Sequence, residues 1–321
     1  MRTLYLHVGH GKTGSSYLQS CFALSRVRLA ALGVRYCWSR KLKRAAAGRA
    51  TSGNARILIA AIRRPVLAAP VALWFRLRGG NALFSAEKLF FVLSNPRNNG
   101  RLAAFRGLAG FDRIEILLFI RDPAEHLPSV HQQQVKREGA TGDIDDEAAR
   151  YKYPLVARRF LATARADPAT RVRVLNYSRV RRPLATIAED WLGVERETLK
   201  RPGTHMVNRS LSAAELAQMR ALNARHGKAA AIVADRLCEQ LPEIEPHQPA
   251  PSPAAARKLE ARLAPHVAWM NRRLPPAQRY RAAAGAEAGK TPSGAPAPLS
   301  AAQRRVIAAA LAEARLPVDD L

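Results

Sequence analysis

Residues 3–22, Thr-Leu-Tyr-Leu-His-Val-Gly-His-Gly-Lys-Thr-Gly-Ser-Ser-Tyr-Leu-Gln-Ser-Cys-Phe, constrain this chain most. Leu4 to Val8 is a short apolar run of the kind that forms a buried strand. Gly9, Gly11 and Gly14 then turn the chain, and from Ser15 onward Tyr17, Leu18, Cys21 and Phe22 recur at helical spacing. Strand, glycine turn and helix in that order make a cradle for a phosphate. Glycines let the backbone approach the anion, and the N–H groups and dipole of the helix N-terminus point at it. A nucleoside-triphosphate loop reads G-x-x-x-x-G-K-[ST]. Gly9, Gly14 and Ser16 fit that spacing, but Ser15 stands in the lysine place and the cation, Lys12, lies inside the turn. The competing reading is an ordinary glycine-rich turn.

The remaining chain alternates strands with helices. Strands are expected at Gly33–Cys37, Asn81–Ser85, Arg113–Ile120 and Val172–Tyr177, with helices from about Ala86, Asn99–Leu108, Pro123 to about Lys136, Tyr153–Ala166 and Pro183–Trp191. The second half of 113–120 is continuously apolar, as in a parallel strand covered on both faces. The expected fold is therefore α/β, a parallel sheet of about five strands flanked by helices, doubly wound, with a helical C-terminal extension. Gly139–Asp146 reads as an acidic loop. From about residue 208 the pattern is all helix, with Ser212 and Glu215 forming a capping box. The domain reading is 1–282, a Gly/Ala/Pro/Ser-rich linker at 283–298, and a final helix in 299–321 capped by Ser300. Gly289-Lys-Thr291 is a decoy phosphate signal, since no strand precedes it.

A formal net charge of +27, carried by 42 arginines and 10 lysines, is compatible with an anionic cofactor, an acidic polymer or nucleic acid, or with compositional bias alone. Aromatic residues are only 6%, and no nucleic-acid module is recognisable, which argues against nucleic acid. The three cysteines, Cys21, Cys37 and Cys238, have neither metal nor redox spacing, and the odd count points to a reduced cytoplasmic protein. Leu4–Val8 is too short for a secretory signal. The apolar stretch Ile57–Phe75 is broken by Arg63, Arg64, Pro65 and Pro70, so it reads as two core helices, or as a helix lining an apolar acceptor pocket, and not as a membrane span.

A second anchor follows the strand at 113–120. Arg121 at the strand's end and Ser129, two helical turns on, are spaced to face one anion. The loop and this pair, in this order, resemble the sulfotransferases that use 3′-phosphoadenosine 5′-phosphosulfate (PAPS), especially bacterial and carbohydrate-acting members. The resemblance covers roughly residues 1–225. It implies that Lys12 contacts the oxygen bridging sulfate and phosphate, and that Gly9, Gly11, Thr13, Gly14, Ser15 and Ser16 cradle the 5′-phosphate. It further implies that Arg121 and Ser129 hold the 3′-phosphate. Val174-Leu-Asn-Tyr177 resembles the family's strand ending in a tyrosine near the adenine, although Ser178 stands where an acidic residue is usual. Asn208-Arg-Ser-Leu-Ser212 resembles a turn of bacterial members and makes Arg209 a second 3′-phosphate candidate.

The expected reaction moves a sulfuryl group in line from PAPS to a hydroxyl or amine, with no metal required. A base must take the acceptor's proton. Glu87, just past the third strand, is the first candidate, with Lys88 assisting at the sulfate; open α/β sheets gather catalytic groups at strand C-termini. The alternative for this stretch is a helix start with Ser85 as cap. His131 is the second candidate, and His7 and His10 the third. The acceptor is expected to be an anionic or polyhydroxyl compound such as a polysaccharide or glycolipid sugar, or a small alcohol. Lys41, Lys43 and Arg44 are expected to border its cleft. A small-molecule kinase using Asp122 as magnesium ligand, and a basic nucleic-acid-binding protein, are the alternatives.

Overall fold

The computed structural model describes residues 1–37, 39–48, 51–180, 182–203, 209–281 and 298–317. The chain begins β1 (Thr3–Gly9), α1 (Ser15–Leu24), α2 (Arg26–Ala31), β2 (Val34–Tyr36), α3 (Leu42–Ala46), α4 (Arg56–Arg63), α5 (Pro65–Arg78) and β3 (Asn81–Ser85). It continues with α6 (Lys88–Leu93), α7 (Pro96–Leu108), β4 (Arg113–Ile120), α8 (Pro123–Glu138), α9 (Ile144–Arg150), α10 (Tyr153–Ala164), β5 (Thr170–Asn176) and α11 (Leu184–Leu192). The later helices are α12 (Ala213–His226), α13 (Ala231–Gln240), α14 (Pro253–Asn271) and α15 (Ala301–Glu313).

The strands form one parallel sheet in the order β2-β3-β1-β4-β5. The fold is thus α/β, with a five-stranded parallel sheet flanked by helices. β1 is central: Leu4 registers with Ala82 on one side and Ile114 on the other. Alternate side chains leave opposite faces of a strand, and they feed two separate cores. Leu4, Leu6 and Val8 of β1 join Ile114, Ile116 and Leu118 of β4 under α4–α7 and α10. Tyr5 joins Leu117 and Phe119 under α1, α2 and α11. Burial on both faces explains the unbroken apolar run of β4.

The chain forms two compact units. One comprises Met1–Asp122, Lys152–His205 and Leu263–Tyr280 and contains the whole sheet; the other comprises Pro123–Tyr151, Met206–Arg262 and Arg281–Leu321. The second has its own core, in which Val135 of α8 packs with Leu216 and Met219 of α12, Val233 and Leu237 of α13, and Ile307 and Leu311 of α15.

Two expectations change. Gly139–Asp146 is not a loop throughout: Asp143 caps α9, accepting from the Asp146 N–H while the Asp146 carboxylate accepts from the Asp143 N–H. Ser85 is not a helix cap either, because its hydroxyl meets Nδ1 of His7 at 2.7 Å across the β1–β3 pair. Nearly all of the 283–298 linker, with Gly289–Thr291, and Asn208 lie outside the described residues. Among the described residues no helix is long and apolar enough to cross a membrane.

Candidate functional site

Four loops leave the C-terminal ends of neighbouring strands in the first unit: 10–14 after β1, 86–87 after β3, 121–122 after β4 and 177–179 after β5. In an open parallel sheet this is where ligands gather. The β1 loop is wound tightly. Gly11, Lys12 and Gly14 all take positive φ, at 58°, 52° and 79°. Lys12 is the costly member, since a residue with a Cβ rarely occupies this region. Gly9 is required for a different reason: a Cβ there would stand 2.3 Å from Ser15 Oγ and 2.9 Å from Thr13 Oγ1. The two hydroxyls fold back over the strand end, where only glycine leaves room.

α1 starts without a side-chain cap; its N-cap is Gly14, in the left-handed conformation. The first N–H groups of a helix have no carbonyl within it to bond, and here Leu18, reaching the Gly14 carbonyl, is the first to find one. Thr13 is fully buried, and its hydroxyl has no hydrogen-bond partner among the described residues. A buried hydroxyl left in this state costs about 1–3 kcal/mol. Together these groups present donors to an anion at the end of β1.

The neighbouring loops close around this turn. A Cβ on Gly14 would stand 2.3 Å from Leu184 Cδ1 and 3.4 Å from Tyr177 Cε2, so these two side chains lie against the loop. Arg121 donates from Nη1 to the Lys12 carbonyl at 3.2 Å, and its guanidinium sits 5.6 Å from the Tyr177 ring centre. The Arg121 backbone N–H donates to Nε2 of His10 at 2.9 Å. His10 is buried against Phe90 and Tyr153, and burial pulls its pKa down to about 4, so the neutral ring acts as an acceptor pinning β4 to the loop. His7 is lowered further, to about 3, by burial, and is spent on Ser85.

Glu87 borders the same turn. Its Oε2 lies 3.7 Å from where a Gly11 side chain would begin. Burial raises its carboxyl above the ordinary range, opposed by the Ser15 hydroxyl and the Lys12 charge. Its loop is held from below by Asn54, whose amide donates to the carbonyls of Cys37 and Leu83 and accepts from the Ser85 N–H at 2.7 Å. Gly53 makes that approach possible, because a Cβ there would collide with the Ser85 carbonyl oxygen at 1.9 Å. Lys88 opens α6 and is exposed.

The structure thus brings together Gly9, Gly11, Lys12, Thr13, Gly14, Ser15, Glu87, Arg121 and Tyr177, with Ser16 in the first turn of α1. Three expected residues lie in the second unit. Ser129 is half-buried on α8. His131, also on α8, is buried, and burial with the nearby Arg220 pulls its pKa to about 4. For Arg209, both terminal nitrogens bond the Glu215 carboxylate, at 2.6 and 2.7 Å, and the side chain also donates to the carbonyls of Leu237 and Leu241. Its side chain is 4% exposed, and its donors are committed within its own unit.

Asp122 is likewise engaged. It accepts from Arg179 at 2.5 Å and from the Asn176 amide at 2.8 Å, an arrangement that ties β4's end to β5's. The Asn54 bracket and the Asp122–Arg179 pair escape sequence reading because each joins positions more than thirty residues apart or depends on strand order. The only local signal was the Gly-Asn turn at 53–54. Among the described residues no three His, Cys, Asp or Glu side chains are grouped to hold a metal ion. Compared with protein-family models, curated proteins and solved structures, the chain matches none.

Proposed function

We propose that this chain is a PAPS-dependent sulfotransferase acting on a hydroxylated acceptor, and that its 9–16 turn is a P-loop-like 5′-phosphosulfate loop. The observation that carries the reading is the convergence, on one uncapped helix start, of the buried Thr13 hydroxyl, a lysine inside the turn, Arg121 from the next strand, and a protonation-prone carboxylate at Glu87. PAPS supplies the sulfuryl group, which passes in line from its phosphate oxygen to the acceptor oxygen. Thr13, Ser15, Ser16 and the loop amides hold the 5′-phosphate, and Lys12 neutralises charge on the oxygen that departs. Arg121 takes the 3′-phosphate, and Tyr177 flanks the adenine. Glu87 accepts the acceptor's proton; its raised pKa makes it a stronger base than an exposed carboxylate. Lys88 contacts the sulfate. Positioning and charge stabilisation suffice for this class of transfer.

The kinase reading loses its magnesium ligand to Arg179 and Asn176, and lacks the lysine after Gly14. Isothermal titration against adenosine 3′,5′-bisphosphate, ATP and duplex DNA tests the choice. The bisphosphate should bind at about micromolar Kd or tighter without added metal, well ahead of the other two. Arg121→Ala should weaken it far more than adenosine 5′-phosphosulfate, which lacks the 3′-phosphate. Tighter binding of magnesium-ATP, or of DNA, would replace the proposal with the corresponding alternative.

A further inference from the structure

α5 is apolar on two faces. Its inner face buries Ala72 and Phe75, the latter ringed by Phe84, Phe105 and Phe111 at centroid distances of 5.8, 6.2 and 6.0 Å. This packing fixes the helix's rotation. The opposite face carries Val66, Pro70, Leu73 and Leu77, spaced four, three and four residues apart and so aligned in one stripe. Val66 is 82% exposed, Leu77 78%, Leu73 54%, and Trp74 beside them 40%. Singly exposed apolar side chains are ordinary, but a contiguous stripe marks a surface that something covers.

The rim of the stripe indicates what. Arg63 and Arg64 stand before its first turn, Arg76 and Arg78 in its last, and all four are exposed. Arg78 lies over the Trp74 ring at 4.6 Å, holding the indole at the surface. No carboxylate answers them locally: residues 1–86 contain fifteen Lys and Arg and neither Asp nor Glu, Glu87 being the first acidic residue of the chain. A second copy of the chain seated on this face would bring identical arginine rims together, which like-charge repulsion opposes. An aliphatic stripe with an indole and a basic rim is the composition that lies in a headgroup boundary.

We propose that the outward face of α5 seats on an anionic lipid bilayer, with Val66, Leu73, Trp74 and Leu77 in the headgroup–acyl boundary and the four arginines against the lipid charges. The helix lies on the membrane and does not span it. This inference does not depend on the sulfuryl-transfer reading. Sedimentation with 100-nm vesicles of phosphatidylcholine and phosphatidylglycerol (about 7:3), at low salt, tests it. Binding should exceed that to pure phosphatidylcholine at least about tenfold and fall as salt is added. The triple change Val66→Ser, Leu73→Ser, Leu77→Ser should lower it more than about tenfold with an unchanged circular dichroism spectrum. Replacing the four arginines by Gln should remove the preference for anionic vesicles; each basic residue near such a surface contributes about fivefold. Should the triple variant fail to fold, quenching by brominated lipid in the wild-type protein, lost in Trp74→Phe, reads the same face. Vesicle binding unaltered by these changes, or no quenching difference, would overturn the proposal. So would light scattering that finds a dimer in the wild type and a monomer in the triple variant.

Discussion

α1 and α12 each begin with a glutamate nearby, and they treat that glutamate in opposite ways. At α12 every group is matched: Ser212 and Glu215 form a capping box, Arg209 binds the same carboxylate with two nitrogens, and Gln303 adds a bond at 2.9 Å. Burial pushes the Glu215 carboxyl up, but these donors outweigh it and hold its pKa below the ordinary range. At α1 no side chain among the described residues caps the helix, the Thr13 hydroxyl has no partner among them, and Glu87 is left with a raised pKa. One region spends its polar groups on the fold. The other leaves the Thr13 hydroxyl unmatched among the described residues, at a cost in stability, and under the proposed function that place is the ligand's.

The contrast can be broken from the closed side first. Glu215→Ala strands the Arg209 guanidinium and should destabilise the protein by about 3–5 kcal/mol in denaturant unfolding. On the open side Lys12→Ala should leave unfolding within about 0.5 kcal/mol of wild type, while turnover falls about 10²–10³-fold; wild-type turnover would remove Lys12 from the chemistry. Glu87→Gln should cost at least about a hundredfold in rate yet raise the melting temperature at pH 7 by about a degree or two. The sign follows from proton linkage. A carboxyl with a raised folded pKa binds more protons when folded than when unfolded, so its contribution declines as pH rises from the ordinary glutamate value through the folded one. The Gln variant lacks that decline, and the gap should close in melts below pH 4. The smallest effect sharpens the comparison most. Thr13→Val deletes an unpartnered buried hydroxyl and should be neutral or stabilising by about 1 kcal/mol, while weakening adenosine 3′,5′-bisphosphate about fivefold or more in titration. Destabilisation by this change would mean that the hydroxyl serves the fold.

β3 and β4 were legible to the residue because Asn81 and Arg113 start, and Ser85 and Ile120 end, runs whose apolar character changes abruptly. The capping box at Ser212 and the cap at Ser300 were likewise legible, being local patterns, whereas the return bond from Gln303 that completes a box at Ser300 was not read. α9 was missed since its acidic first turn reads as a solvated loop, although acids there favour the helix dipole. Within the candidate site, the glycine turn and Arg121 announce themselves by spacing. The Asn54 bracket and the commitment of Asp122 to Arg179 require knowing that β2 lies beside β3 and β5 beside β4. The bond of Arg209 to Glu215 is hidden from the sequence because a basic residue looks the same whether its partner is a ligand or a buried carboxylate six residues on. The stretch Ile57–Phe75 reads as core helices or as the lining of an acceptor pocket, and the exposure of Val66 and Leu73 escapes that reading for a related reason: periodicity reveals an apolar face but not which side of the helix meets the protein.

The central place of β1 has a consequence for how the molecule is made. β1 pairs with residues around 82 and 114, both later in the chain, so both its edges stay open until β3 and then β4 have been synthesised. At about 5–20 residues per second, that is a wait of roughly 5–20 s for an apolar strand with nothing beside it. The wall of the loop comes later still, since Tyr177 follows β5. A nascent chain halted before Thr170 has the whole 9–16 sequence but lacks the Tyr177 and Leu184 side chains that lie against Gly14, so under the proposed function ligand capture would be a readout of completed sheet assembly.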